Sequence, residues 1–261
     1  MSKRRKSSTQ ESDSDASPAT AGAVPADLHK SAKVARPLSV AEVTRHPAVK
    51  EARARLAGKP NTLEESTPED VRTTKLEIYQ ALSKTPPVLE GERPTIRIVM
   101  GATAAGKSTA IARMADTGEF TLVQPDNFQP RIASLRKQQY RAADAPLYLS
   151  EAGRIGSQTV ERLIGERRNV LYETVAASPD RLRQLGKLAH KLGYEVELVY
   201  IPSTPEESAT GALERYLDGG RFVDPETAAA SVSKSQEVFD TLKDEKFVTR
   251  AEQYAKRAQK I

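Results

Sequence analysis

Gly101, Ala102, Thr103, Ala104, Ala105, Gly106, Lys107, Ser108 and Thr109 carry the spacing G-x-x-x-x-G-K-[ST], the signature of a loop that cradles phosphate. The glycines let the backbone curl until several N–H groups converge on one anion. A helix starting at Ser108 adds its partial positive end to the same point. In that chemistry Lys107 reaches the β- and γ-phosphates of a nucleotide, and the Ser108 hydroxyl ligates Mg²⁺. A Gly/Ala-rich turn that binds nothing could carry the same letters. The flanks favour the phosphate loop: a β-branched run at 95–100 reads as a strand before it, and 110–114 as the first turns of a helix after it.

A held phosphate needs an acceptor and further cations. Asp126 follows the next apolar run, 121–124. A carboxylate there can orient an acceptor hydroxyl and take its proton; the competing role is a turn carboxylate ahead of a helix. Glu173 and Thr174 close the following run, 169–173, on the same expected edge. An unpaired carboxylate ending a buried strand is costly, so Glu173 meets a metal, a substrate or solvent. Charge on a migrating phosphoryl group calls for cations beyond Lys107. Arg215, on a helix spanning 204–218, and Arg221, just after Gly219 and Gly220, are the candidates, although a surface arginine fits either position. Glu151, near the start of a long helix, can meet a substrate hydroxyl or solvent.

These residues meet only if strands and helices alternate, and the sequence has that pattern. Strands are expected at 95–100, 121–124, 169–173 and 195–201, and helices at 131–143, 147–166, 178–193, 204–218 and 225–242. Ser178 and Thr204 each precede a proline, as an N-cap precedes the first helical position, and Gly193 and Gly219 follow helix ends. The tail, 247–261, reads as a short strand or a basic helix, with helix preferred. The expected class is α/β, a P-loop kinase-like parallel sheet with helices on both faces and ligands at the C-terminal strand ends.

A helical segment precedes that sheet. Ser39 and Thr67-Pro68 are helix starts, and Pro86, Pro87 and the stretch 91–94 mark a boundary. The expected organisation is a disordered tail at 1–35, too poor in large apolar residues to offset ordering entropy, a helical extension at 36–91, and the P-loop kinase domain at 92–261. The extension either packs on the core or covers the nucleotide site in cis. The basic run at 3–6 reads as a solubilising charge cluster ahead of a nuclear address. The chain has 261 residues, a formal charge of +5, no cysteine and three histidines, His29, His46 and His190. That removes disulfide scaffolds, thiol catalysis and zinc–thiolate sites. It gives no reason to expect a nucleic acid partner, and no apolar run has transmembrane length, so no membrane partner is expected. There is no N-K-x-D guanine-reading motif and no apolar run leading into Asp-Glu. A switch GTPase and an ATPase motor are thereby disfavoured, leaving a small-molecule or nucleotide kinase.

The succession of phosphate loop, Gln124-Pro-Asp-Asn-Phe128, Asn169-Val-Leu-Tyr-Glu-Thr174, Lys191-Leu-Gly-Tyr-Glu-Val-Glu-Leu-Val-Tyr-Ile201, Glu214-Arg-Tyr216 and Gly219-Gly-Arg-Phe-Val223 resembles the zeta toxin family of bacterial kinases over about residues 92–240. The resemblance implies Mg²⁺-dependent transfer of a γ-phosphate from ATP, or GTP, to a hydroxyl of a nucleotide-linked substrate. The 3′-hydroxyl of UDP-N-acetylglucosamine is the first expectation, and NAD or another nucleotide the next. It implies that Lys107 and Ser108 hold phosphate and metal, that Asp126 is the general base, that Glu173 contacts substrate or metal, and that Arg215 is the first transition-state arginine. It further implies a toxin or effector, made in the cytoplasm, a candidate for secretion into a host cell, and restrained by an antitoxin, immunity or chaperone partner. Three departures stand out. Gln124 occupies a position that is often acidic in the family. No arginine follows in 224–231, where Arg221 and Lys234 are the nearest cations. The loop has Ala104-Ala105 where many members have Gly-Ser. A nucleotide-binding interaction protein with decayed catalysis, and a nucleoside or antibiotic kinase, are the alternatives.

Overall fold

The structure, a computed structural model, describes residues 36–61, 67–114, 117–176 and 178–254. The expected disordered tail at 1–35, with its basic run, lies outside the described residues, as does the chain beyond Tyr254.

Five strands, β1 (Thr95–Gly101), β2 (Thr121–Val123), β3 (Val170–Thr174), β4 (Glu195–Ile201) and β5 (Arg250–Gln253), form one parallel sheet in the order β2-β3-β1-β4-β5. From β1 the chain runs outward to β2, whereas from β3 it crosses β1 to reach β4. The loops leaving the C-terminal ends of these neighbouring strands therefore diverge and open a crevice there.

Side-chain alternation gives the central strands β3, β1 and β4 two apolar faces, as a sheet covered on both sides requires. Ile96, Ile98, Met100, Tyr172, Leu198 and Tyr200 pack with residues of α6 (Ala145–Gly165), α7 (Pro179–Lys191) and α9 (Pro225–Leu242). The other face carries Val99, Leu171, Val199 and Ile201 against Ala110 and Ile111 of the short α4 (Lys107–Ile111), with Val232 of α9 joining at the rim. Arg97, on that second face, pairs with Glu197 at 2.6 Å and lies 4.9 Å from the Phe120 ring centroid.

Three helices precede the sheet: α1 (Val40–Arg45), α2 (Pro47–Leu56) and α3 (Pro68–Leu82). Ser39 with Glu42, and Thr67 with Asp70, form reciprocal capping boxes, so both starts are fixed by local chemistry. In α3, Ile78 and Tyr79 join the main core, and Tyr79 donates to Glu166 beneath the Arg162 guanidinium. In α1 and α2, Val43, Ala48, Val49 and Ala52 form a separate apolar cluster with Ala209, Leu213 and Tyr216 of α8 (Pro205–Leu217) and with Phe222. Arg53 pairs with Asp224 at 2.6 Å and Arg55 with Asp144 at 3.0 Å, which ties α2 to the N-caps of α9 and α6.

Two expectations change. The tail forms strand β5 at Arg250–Gln253 where a helix was preferred; its ladder with β4, from Glu197↔Arg250 to Tyr200↔Gln253, covers an otherwise open sheet edge. The helix expected at 131–143 is α5 (Gln129–Leu135), which ends well before Ala143. The stretch Lys137, Gln138 and Gln139 offers no apolar side chain to bury, and Lys137 takes φ 55°. The chain continues as loop to a 3₁₀ turn at Ala142–Asp144.

Candidate active site

The loop between β1 and α4 is built by backbone constraints. Gly101 lies where β1 touches β4: a Cβ there would stand 2.6 Å from the Ile201 carbonyl oxygen. Gly106, the N-cap of α4, takes φ 93°, which favours glycine. Two hydrogen bonds hold the loop to the helices beside it: the Thr103 N–H donates to Ser231 Oγ at 3.0 Å, and Ser208 Oγ donates to the Thr103 carbonyl at 2.6 Å. Gly211 lets α8 come close, since a Cβ on it would be 3.1 Å from that of Ala104.

Lys107 is buried, and its ammonium donates to the Gly101 and Ala102 carbonyls at 3.0 and 2.8 Å. Burial pulls its pKa down to about 8; Glu173 and Asp126 oppose that shift, and Arg221 and Arg215 reinforce it. Ser108 Oγ donates to Glu173 Oε2 at 3.2 Å. Glu173 shares a face with Leu171 and so points toward the phosphate loop, and it also accepts from Gln124 Nε2 at 2.5 Å. Asp126 sits on the 3₁₀ turn Pro125–Phe128 that directly follows β2, and Arg221 Nη2 donates to its Oδ2. Arg215 reaches the same place from α8. Its Nε and Nη2 are buried with no hydrogen-bond partner, and burial, then the Arg221 charge, lowers its pKa to about 10. These side chains line a cleft of about 230 Å³ with Thr103, Ala104, Ala105, Gly106, Thr109, Val175 and Gly211.

The expected set divides accordingly. Lys107, Ser108, Asp126, Glu173, Arg215 and Arg221 converge on the cleft. Glu151 does not. It is fully buried on the inner side of α6, next to Ala152 and one turn from Tyr148, and its carboxylate pairs with Arg136 at 2.5 Å. Thr174 does not line the cleft either: it follows Glu173 by one residue and so points to the opposite face of the sheet, where its hydroxyl accepts from the Ala176 N–H at 3.0 Å. Residues that sequence reasoning left unassigned come in. Gln124 bridges Glu173 and Asn127. Tyr140 donates to Gln129 Oε1 at 3.1 Å; burial raises its pKa, and the Arg221 charge opposes that shift. Gly211 could have been found only from the packing of α8 on the loop.

One side of the cleft thus offers the phosphate-loop backbone with Lys107 and Ser108, and the Asp126 carboxylate stands in the same cleft. Two arginines, Arg215 and Arg221, line it as well. Ser108 and Glu173, a hydroxyl and a carboxylate 3.2 Å apart, are the hard oxygen donors that a Mg²⁺ site uses.

A family model described as Zeta toxin matches residues 78–261. The toxin PezT of Streptococcus pneumoniae serotype 4 is 29% identical over 129 residues, covering 48% of this chain and 51% of the toxin, so the match spans about half of that relative's length. A solved structure from the PezAT chromosomal toxin–antitoxin system of the same species superposes with TM-score 0.59 and 19% identity over 72% of this chain and 78% of the other. An AvrRxo1-ORF1:AvrRxo1-ORF2 structure with sulphate ions superposes at TM-score 0.49 and 18% identity, over 80% and 65% of the two chains.

Proposed function

The chain belongs to the zeta toxin family, and we propose that it is a phosphotransferase of that type, passing the γ-phosphate of ATP to a hydroxyl of a nucleotide-linked small molecule. One observation carries the reading. Lys107, Arg215 and Arg221 meet the carboxylate of Asp126 in a single cleft, and Arg215 keeps two buried N–H positions unsatisfied there. Native proteins rarely leave buried polar groups unpaired, so an anion is the natural partner.

The contacts support the following roles. The loop N–H groups and the α4 N-terminus take the phosphate chain. Lys107 gives up the Gly101 and Ala102 carbonyls for phosphate oxygens. Ser108 and Glu173 would hold Mg²⁺, which would supply positive charge to offset that of the phosphates. Arg221 already occupies Asp126, which keeps the carboxylate in place until an acceptor arrives. Asp126 then accepts the acceptor's hydroxyl proton, while Arg215 and Arg221 face the migrating group. Arg221 thus supplies a cation of the kind missing from 224–231, which weighs against decayed catalysis.

The acceptor proposed first is UDP-N-acetylglucosamine, and NAD or another nucleotide next. A toxin held by an antitoxin is the biological setting proposed, by analogy with the PezAT system. No residue of 37–85 lines the cleft among those described, so packing on the core is the role proposed for that segment. No helix of the described residues is long and apolar enough to cross a membrane. The test is product formation from labelled ATP across UDP-sugars, NAD and nucleosides. Lys107→Ala and Asp126→Asn should each lower it by about 10²-fold or more; activity equal to wild type in both variants would refute the assignment.

A further inference from the structure

Gln124 has no role in the reaction outlined above, yet it bonds to Glu173 in the cleft and to Asn127, the neighbour of Asp126. It follows β2, whose register Val123↔Tyr172 brings it alongside Glu173 on β3. Its Nε2 donates to Glu173 Oε2 at 2.5 Å, the oxygen that also accepts from Ser108 Oγ at 3.2 Å. Its own Oε1 accepts from Asn127 Nδ2 at 2.9 Å. That second bond fixes the amide: with its oxygen engaged by a donor, its NH₂ is the group turned to Glu173. Asn127 adjoins Asp126 on the same 3₁₀ turn, so one amide links the turn carrying Asp126 to the carboxylate facing the phosphate loop.

A carboxylate at 124 would stand beside Glu173 on the adjacent strand, at a backbone spacing of about 5 Å. Two carboxylates and the Ser108 hydroxyl would then form a set of hard oxygens able to draw a divalent cation with no nucleotide present. The amide removes one of those charges and restrains the other.

We propose that Gln124 is a positioning residue which keeps the metal side of the cleft a one-carboxylate site, orienting Glu173 so that the divalent cation is held only together with a nucleotide's phosphates. This rests on the nucleotide-binding half of the function proposed above and not on the acceptor.

The test uses the full chain with Mn²⁺ as the probe cation, its free concentration followed by electron paramagnetic resonance, and ATP binding followed by calorimetry with Mg²⁺ or with EDTA. Wild type should take up Mn²⁺ only when ATP is added. Gln124→Glu should bind Mn²⁺ without nucleotide at least about tenfold more tightly than wild type. Gln124→Leu should lose about tenfold of the ATP affinity that Mg²⁺ confers, as loss of a group orienting a metal ligand does, while its affinity in EDTA stays that of wild type. That EDTA value also reports that the variant is folded. Wild-type Mn²⁺ binding in Gln124→Glu overturns the proposal, as does an unchanged Mg²⁺ effect in Gln124→Leu or a wild-type ATP affinity indifferent to Mg²⁺. If these results hold but no acceptor is phosphorylated, the role of Gln124 stands and the transferase reading falls.

Discussion

Raising the pH from 7 to 9 should weaken ATP binding, and Lys107 sets the size of the effect. In the free protein its ammonium is buried against the Gly101 and Ala102 carbonyls, with a pKa of about 8. With that pKa, roughly a tenth of free molecules carry a neutral Lys107 at pH 7, about half at pH 8 and about nine-tenths at pH 9. A bound phosphate favours the charged form and returns the pKa toward the ordinary lysine range. Each complex formed at pH 9 should therefore take up about 0.9 proton, and affinity should fall about tenfold between pH 7 and 9. Phosphate itself is fully ionised over the upper part of that range, its last pKa being about 6, so the uptake belongs to the protein. Calorimetry in two buffers of different ionisation enthalpy reads the proton directly. The same shift sets a stability trend. The folded pKa lies below the unfolded value of 10.5, so the buried charge costs stability below pH 8, and that cost fades as the pH climbs from 8 toward 10.5. Lys107→Met should flatten the binding profile and raise stability at pH 7, by on the order of 2 kcal/mol after loss of the two carbonyl contacts. Absence of proton uptake at pH 9, or the wild-type slope in Lys107→Met, would refute the reasoning.

Three further outcomes are expected. Arg215→Met should lower phosphoryl transfer by about 10³-fold, since the side chain faces developing charge. It should also raise the melting temperature by a few degrees, about 1 kcal/mol, because it removes a buried guanidinium with two unpaired N–H positions; a lower melting temperature would count against that reading. Gly101→Ala should destabilise the fold by roughly 2 kcal/mol or more in denaturant titration, because its Cβ would press to 2.6 Å on the Ile201 carbonyl oxygen; wild-type stability would mean that β1 and β4 can part without cost. Deleting residues 36–61 should lower both stability and turnover, since α1 and α2 cover Leu213, Tyr216 and Phe222 on the arginine-bearing segment; a rise in turnover would instead reveal inhibition in cis.

What sequence could reveal here followed the range of the interactions. The phosphate loop and the caps at Ser39, Thr67, Ser178 and Thr204 are local, and each appears where its letters place it. Arg215 and Arg221 were legible as cations at the right spacing, but their convergence on Asp126 comes from the packing of α8 and the turn after it. Glu151 misled because its partner, Arg136, lies in another segment, and only the rotation of α6 decides whether the carboxylate faces solvent or core. Thr174 need not have misled: consecutive strand residues face opposite sides, so it and Glu173 were never equivalent candidates. Gln124 was visible as a departure from the family, yet its contact with Glu173 depends on the β2–β3 register, which no local signal sets. The same holds for β5, whose Arg-Ala-Glu-Gln sequence has weak strand character and pairs because β4 needs a neighbour.

Transfer of the terminal phosphate of labelled ATP to UDP-N-acetylglucosamine, NAD or another nucleotide, compared between wild type and Asp126→Asn, tests the kinase assignment most directly. Wild type should form a labelled product with at least one acceptor. Asp126→Asn should bind ATP as wild type does yet turn over about 10²- to 10⁴-fold more slowly. No product with any acceptor, or equal turnover in the two proteins, would contradict it.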